Sequence, residues 1–302
     1  MVKTTACCKL NLHLRVKDER PDGFHDIESV FLPLDFGDEL TFELNGKDVN
    51  VTVDWNDSHV PIPLAENLVF RAAELFRERT GWSGGVHIFV EKRIPPGAGL
   101  GGGSSDAAAV LRTLNLMTHA GLSLTTLTDL AAELGSDVPF FLYETPAFIT
   151  GRGERVSPVR LSQELFASVV YPGFESGTRE AFRRLDARRK IARNKGRTAP
   201  NRKKEVIAMF EKPLSEWRFF NDFLPVLLEG ERSSMYQAML AVLEAADFHG
   251  VSGSGSCCFG IWERRSNMEN FAEQESVKKT LKNLEKNAKI VNTRILSLAI
   301  KK

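Results

Sequence analysis

The stretch Pro95-Pro96-Gly97-Ala98-Gly99-Leu100-Gly101-Gly102-Gly103-Ser104-Ser105-Asp106 runs directly into Ala107-Ala108-Ala109 and a helical pattern. Five of the seven residues from 97 to 103 are glycine, so the backbone has little side-chain cover, can take left-handed conformations and can approach another molecule closely. Where the sequence turns helical, the first N–H groups have no partner within the helix, and they face the bare loop. That combination attracts anions, phosphate above all; the bland alternative is a glycine-rich surface turn ahead of an ordinary helix. A helix terminus contributes only about 0.3–1 kcal/mol toward an anion, whereas micromolar nucleotide binding needs about 8 kcal/mol. A nucleotide site here therefore requires several backbone N–H bonds, a metal and a base pocket acting together.

Three common phosphate loops are excluded by the letters. A P-loop ends in Gly-Lys-Ser/Thr, but Gly103-Ser104 has no lysine. Gly97, Gly99 and Gly102 match G-x-G-x-x-G, yet the acidic residue expected about 20 positions on in a dinucleotide fold is missing around Thr118-His119-Ala120-Gly121. A protein kinase needs V-A-I-K and H-R-D elements, which are absent, and the tripeptide Asp35-Phe36-Gly37 lies upstream of the loop, in the wrong order.

At 302 residues, with 42% apolar and 26% charged side chains, the chain has a globular composition and enough length for two cores. No run approaches the roughly 18 apolar residues of a membrane span, and Met1-Val2-Lys3-Thr4-Thr5 leads into a mixed strand rather than an apolar signal core, so the expected compartment is the cytoplasm. The four cysteines form the pairs Cys7-Cys8 and Cys257-Cys258. Neighbours on a strand point to opposite faces, so each pair is poorly placed for a shared metal or a disulfide; reduced, buried thiols are expected. The net charge of +1 hides a basic stretch, 183–204, in which eleven Arg and Lys face Asp186 alone, leaving −9 on the remainder. Low apolar content with Gly196 and Pro200 reads as a mobile insertion. Without interleaved aromatics it lacks a stacking platform for nucleic acid, so a solvated loop is expected.

Residues 5–16 alternate, with Leu10, Leu12, Leu14 and Val16 on one face and Lys9, Asn11, His13 and Arg15 on the other, as in a half-buried strand. Arg20-Pro21-Asp22-Gly23 is turn chemistry. Strands are predicted over 27–34, 39–44, 49–53 and 86–90, and a helix over 67–80 with Gly81 as its stop. After the loop, Ser105 is the expected cap of a helix to 117, followed by a helix over 125–134 and strands over 140–143, 147–150 and 154–159. The chain then restarts: a strand over 167–171, a helix over 178–185, helices to about 248, short strands around a second glycine cluster at 253–260, a charged helix over 268–287 and a last strand. No internal repeat is evident. Strands and helices in both halves argue for two α+β domains with the cleft between them.

Five further segments accompany the loop: Lys9-Leu10-Asn11-Leu12; Arg20-Pro21-Asp22-Gly23-Phe24-His25; Leu134-Gly135-Ser136-Asp137-Val138-Pro139-Phe140-Phe141; Asn221-Asp222-Phe223; and Gly253-Ser254-Gly255-Ser256. In this order, and with a loop that resembles P-x-x-x-G-L-G-S/G-S-S, they resemble the GHMP kinases (galactose, homoserine, mevalonate and phosphomevalonate kinases). Within that family the resemblance is to the branch that phosphorylates a cytidyl-linked methylerythritol in non-mevalonate isoprenoid synthesis. It implies a ribosomal-protein-like nucleotide-binding domain over 1–161 and a ferredoxin-like α/β domain over 162–302, carrying the basic insertion. It also implies ATP and Mg2+, a small-molecule cytidyl substrate, a monomer or homodimer, and no membrane or nucleic-acid partner.

By the same resemblance, Lys9 orients the acceptor hydroxyl and steadies the transferring phosphoryl group, and Asp137 is the base. Read locally, these would be a solvated strand lysine and a turn aspartate bonded to its own backbone. Asn67 and Lys92 fall near the adenine. Pro96, Gly97, Ala98, Gly99, Leu100, Gly101, Gly102, Gly103, Ser104, Ser105 and Asp106 hold the phosphates, with Ser104 on the metal. Asn11, Phe24, His25, Phe182, Gly253, Ser254 and Gly255 contact the substrate, Phe24 and Phe182 stacking on cytosine and His25 hydrogen-bonding it. Phe24 replaces the family's usual tyrosine, and Cys7-Cys8-Lys9 its usual Pro-Ala-Lys. Another GHMP kinase, or a non-catalytic nucleotide- or RNA-binding protein, is the alternative function.

Overall fold

Two sheets organise the chain in the computed structural model, which describes residues 1–55, 62–161, 163–193 and 203–296. The first comprises β1 (Val2–Glu19), β2 (His25–Asn45), β3 (Val49–Trp55), β4 (Gly85–Lys92), β5 (Ala147–Thr150) and β6 (Arg155–Pro158). Its order is β3-β4-β2-β5-β6 with β1 also on β2, antiparallel except for the parallel β3–β4 pair. Three helices belong to this half: α1 (Leu68–Thr80), α2 (Gly102–Met117) and α3 (Leu124–Leu134).

The second, antiparallel sheet has the order β10-β7-β9-β8, from β7 (Phe166–Tyr171), β8 (Phe248–Val251), β9 (Cys258–Trp262) and β10 (Lys289–Arg294). Around it run α4 (Thr178–Arg193), α5 (Lys203–Ala208), α6 (Leu224–Leu228), α7 (Ser233–Leu243), α8 (Arg265–Glu273) and α9 (Glu275–Lys282).

Three cores follow from the layering. Ala72, Phe76, Leu111, Leu114 and Leu130 of α1, α2 and α3 pack on Phe42, Val86 and Ile88 of the first sheet. A second core lies between the sheets, where Leu10, Leu12 and Leu32 meet Val169, Phe259 and Ile261. A third, with Met239, Leu243, Met268 and Phe271, backs Val170 and Trp262 of the second sheet. Backbone pairing also stitches the halves: Leu14 N–H donates to Phe220 O (2.8 Å), Asp222 N–H donates to Leu14 O (2.9 Å), and Leu34 bridges to Ile295.

The first strand departs from plain alternation. Its pairing with β2 shifts register between Cys7 and Lys9 and again between Asn11 and His13. Each such irregularity exchanges the faces that following side chains take. Leu10 and Leu12 therefore join the core between the sheets, while Leu14 and Val16 join the core under the helices. The expectation of one apolar face is corrected accordingly, as is that of a half-buried strand: Lys9, Asn11 and His13 are each only 3% exposed.

Other elements also differ from their sequence pattern. The predicted strand at 140–143 is a short 3-10 helix, Val138–Leu142, opened by Pro139 and buried throughout, so it has no polar face to give it a period. The long charged helix breaks at Gln274, whose extended ψ of 137° separates α8 from α9. The helix after the glycine loop begins at Gly102, with left-handed Gly101 as its cap, rather than at Ser105. The basic stretch is helical through Arg193, because Arg183 and Arg184 pair with Glu180, Arg188 with Glu229 and Arg189 with Asp222; its residues 194–202 lie outside the described residues.

The four cysteines are free. Cys257 faces the core between the sheets and Cys258 the core behind it. Burial pushes all four thiols up, Cys7 to about 11, which makes them poor nucleophiles. Among the described residues no helix is long and apolar enough to cross a membrane.

Candidate active site

The glycine loop is held by its carbonyls. Ser176 N–H donates to Gly97 O (2.8 Å), Cys257 N–H to Ala98 O (3.2 Å), and Lys9 N–H to Leu100 O (3.0 Å). Ser252 Oγ donates to Gly99 O (2.8 Å). Among the described residues, the N–H groups from 97 to 104 meet no protein acceptor, so the strand-to-helix turn presents bare donors at the start of α2. Two positions demand glycine. Gly99, at φ +75°, would drive a Cβ to 2.3 Å from Ser252 O; Gly101, also at +75°, would drive one to 2.8 Å from the Phe141 ring.

Beneath the loop, Lys92 Nζ donates to Asp106 Oδ2 (2.7 Å) and to Asp38 Oδ2; both aspartates are buried and the lysine side chain is only 7% exposed. Asp38 Oδ1 also accepts Arg93 N–H (2.6 Å) and Ile94 N–H (2.8 Å), which pins the strand end that delivers the loop. One ammonium between two carboxylates cannot compensate both. Burial pushes Asp106 up to about 7, Asp38 adds to the rise and Lys92 opposes it. Lys92 is itself raised: the two carboxylates outweigh the lowering by burial. Ser105 is buried and its hydroxyl donates to Cys7 O (2.6 Å). Asn67 caps α1, accepting Val69 N–H at 2.9 Å.

Across the cavity, Lys9 Nζ lies 3.4 Å from Asp137 Oδ2, donates to Asn11 Oδ1 and sits 4.4 Å above the Phe31 ring. Burial lowers the Lys9 pKa, and Asp137 resists that shift. Asp137 makes no capping bond at the head of its 3-10 helix; its carboxylate is one-third exposed and directed at lysine instead. The second glycine turn abuts this pair. Asn221 Nδ2 donates to Val251 O (2.8 Å) and Gly253 O (2.7 Å), and Asn11 N–H donates to Ser252 Oγ (3.1 Å).

Farther along, His25 stacks on Phe182 at 4.9 Å between ring centroids and meets Asp186 Oδ1 through Nε2 at 3.0 Å. Phe24 is half-exposed beneath the Arg152 guanidinium, 5.2 Å away. Phe182 thus stacks on His25, a pairing the sequence did not anticipate.

One cavity of about 640 Å3 joins these groups, with Val53, Trp55, Leu68 and Val90 forming an apolar end. Every site residue expected from sequence lines it except Ser105 and Gly255. Ser105 is turned to Cys7, and Gly255 packs against Tyr236, whose hydroxyl would lie 2.5 Å from an added Cβ. Asp38, Asp186 and Arg152 carried no sequence signal. Isolated charges have no pattern of their own, although Asp186 is the lone acid of the basic stretch.

A bare anion cradle at a helix start, an ammonium–carboxylate pair opposite it and a deep apolar pocket together define a small-molecule phosphotransferase. The GHMP kinases N terminal domain profile matches residues 67–145. A 4-diphosphocytidyl-2-C-methyl-D-erythritol kinase of Prosthecochloris aestuarii is 36% identical over 286 residues, covering 91% of this chain and 94% of that protein. One of Anaeromyxobacter sp. is 40% identical over 278 residues, 87% of this chain and 81% of that protein. A crystal structure of 4-(cytidine 5'-diphospho)-2C-methyl-D-erythritol kinase superposes with a TM-score of 0.77 at 31% identity, covering 98% of this chain and 100% of that one. A homoserine kinase from Cytophaga hutchinsonii, at 18% identity and a TM-score of 0.68, shares the fold. The chain has the GHMP kinase fold and is a kinase. It belongs to the 4-diphosphocytidyl-2-C-methyl-D-erythritol kinase family.

Proposed function

We propose that this chain transfers the γ-phosphoryl group of ATP to a hydroxyl of 4-diphosphocytidyl-2-C-methyl-D-erythritol, a step of non-mevalonate isoprenoid synthesis. The observation that carries this reading is the Lys9–Asp137 pair, 3.4 Å apart, opening onto the cavity that the glycine loop and the His25–Phe182 stack also line. Asp137 accepts the hydroxyl proton. The freed oxygen attacks the γ-phosphorus in line, the bond to the β–γ bridging oxygen breaks, and ADP leaves. Lys9, 3.4 Å from Asp137, orients that carboxylate and faces the charge on the transferring group. The N–H groups from 97 to 104 hold the phosphates, and the pocket around Trp55, Asn67 and Val90 takes the adenine. Phe24, His25 and Phe182 take the cytosine, while Asn11, Gly253 and Ser254 flank the polyol.

The residues present fit Mg2+. No cluster of three or more His, Cys, Asp or Glu forms a cage among the described residues; Mg2+ commonly keeps its waters and relies on substrate phosphates with one or two protein oxygens. Ser104, at the cavity, has its hydroxyl available, whereas that of Ser105 is committed to Cys7 O. Bound there, the ion would neutralise charge on the phosphates. The same reading divides the chain into domains at 161/162 and has it act in the cytoplasm as a monomer or homodimer, without membrane or nucleic acid.

The test is ADP release with the cytidyl acceptor against mevalonate, homoserine and galactose. The cytidyl compound is expected to give the highest kcat/KM by orders of magnitude. Faster turnover of any of the other three would overturn the assignment.

A further inference from the structure

We propose that Asp186 is the positioning residue that sets nucleobase choice, by fixing which nitrogen of His25 carries the proton. The inference rests on the reading in which His25 meets the base of the acceptor. Asp186 is the one acid among eleven basic residues at 183–204. Among the described residues its carboxylate pairs with none of these; it accepts from His25 Nε2 at 3.0 Å, with the imidazole side chain only 8% exposed.

The helix that carries Asp186 is fastened across the cleft. Phe182, Asp186 and Arg189 recur at helical spacing on α4 and share one face. Phe182 stacks on His25; Arg189 donates to Val16 O (2.6 Å), Lys17 O (3.2 Å) and Asp222 Oδ2 (2.6 Å). Asp222 in turn accepts Val16 N–H at 2.8 Å. The carboxylate is therefore held against the imidazole from both sides of the cleft.

A carboxylate can only accept, so Nε2 must donate, and in the neutral ring Nδ1 keeps its lone pair. Among the described residues no group bonds Nδ1, and His25 lines the cavity. A lone-pair acceptor there suits the exocyclic amino group of cytosine. It opposes the oxo group that uracil carries at the same position, because two lone pairs would face each other. Tautomer choice thus becomes base choice, and it is made from a helix of the second half of the chain.

Asp186→Asn keeps the size of the side chain but offers Nε2 a donor as well as an acceptor, so the ring proton is no longer held on Nε2. The experiment measures ADP release with matched cytidyl- and uridyl-linked acceptors for the unmodified chain, Asp186→Asn and Arg189→Ala. In Asp186→Asn the cytidyl-over-uridyl ratio of kcat/KM is expected to fall about tenfold or more, chiefly through a higher KM for the cytidyl acceptor. Arg189→Ala loosens the helix without touching the tautomer, so it should raise both KM values and leave the ratio unchanged. An unchanged ratio in Asp186→Asn overturns the proposal, and so does an equal fall in Arg189→Ala, which would make Asp186 a mere tether. Nitrogen NMR of the His25 ring in the unmodified chain gives an answer that needs no variant to fold: protonation at Nε2 is expected, and protonation at Nδ1 alone overturns the assignment. If the unmodified chain turned over neither acceptor, the proposed function would fail, and the NMR result would still decide the tautomer.

Discussion

The two halves of the cavity are made of different material. On one side, a single stretch from 95 to 106 supplies backbone N–H groups, and its carbonyls are held by the backbone N–H groups of Lys9, Ser176 and Cys257 and by the Ser252 hydroxyl. On the other, the side chains of Lys9, Asn11, His25, Asp137 and Phe182 arrive from two strands, the head of a 3-10 helix and an α-helix. A site built from backbone tolerates the loss of a neighbouring side chain but not an added one. A site built from side chains depends on each of them singly.

That contrast can be broken most forcefully at Asp137. Asp137→Ala is expected to lower kcat by about 10^3-fold, in the range of a lost general base, while leaving ATP affinity near normal by titration. Comparable turnover would remove the base assignment. On the backbone side, the corresponding lesion is an added methyl. Gly99→Ala forces a Cβ to 2.3 Å from Ser252 O at a positive φ. It should lower stability by about 1–3 kcal/mol and raise the KM for ATP, read from urea midpoints and initial rates. A variant with normal stability and KM would show that the loop is not clamped.

Phe24→Ala sharpens the same contrast, because its half-exposed ring is expected to contact only the acceptor. The acceptor KM should rise about tenfold, as for loss of a base-stacking contact of 1–3 kcal/mol, with the KM for ATP unchanged; equal effects on both would argue against stacking there.

The smallest expected effect concerns the buried trio under the loop. Asp106 is raised from the ordinary carboxylate range to about 7 by burial. Its native form holds the proton more tightly than the unfolded chain, so its contribution to stability is complete below the ordinary aspartate range and is lost as pH rises through about 7. Asp106→Asn removes this titration, and its denaturation midpoint should fall less than that of the unmodified chain between pH 5 and pH 8. An equal or steeper fall would mean that Asp106 stays ionised across that range.

Much of the loop side was legible because the information is local. A run of glycines specifies left-handed backbone, and the alanines after it specify a helix, so the cradle follows without knowledge of any distant residue. Even there, the cap fell on Gly101 rather than Ser105, whose hydroxyl found a better acceptor in Cys7 O. The opposite side was legible only through family resemblance. Lys9 and Asp137 are 128 positions apart in the chain, and nothing in the spacing of either says that they meet. Alternation did place Lys9 and Asn11 opposite Leu10 and Leu12, but it did not foretell the register shift between Asn11 and His13 that sends Leu14 and Val16 to a different core. The basic stretch proved more ordered than its charge suggested: through Arg193 it is helical, with Glu180, Glu229 and Asp222 pairing its arginines, and Arg189 fastens it across the cleft to Val16 O and Lys17 O.

The amino-acid sequence by itself thus determined that the chain has an anion-binding turn between a strand and a helix, an α+β composition, and motifs in the order of a kinase family. Those features depend on torsional preference and short-range pairing, which act within a few residues. Only the tertiary structure decided that Asp137 faces Lys9 instead of its own backbone, that Asp38 and Asp106 share Lys92, and that Asp186 reaches His25. Each of these depends on where two sheets and their helices pack, because a buried charge takes whichever partner that packing brings within a few ångströms.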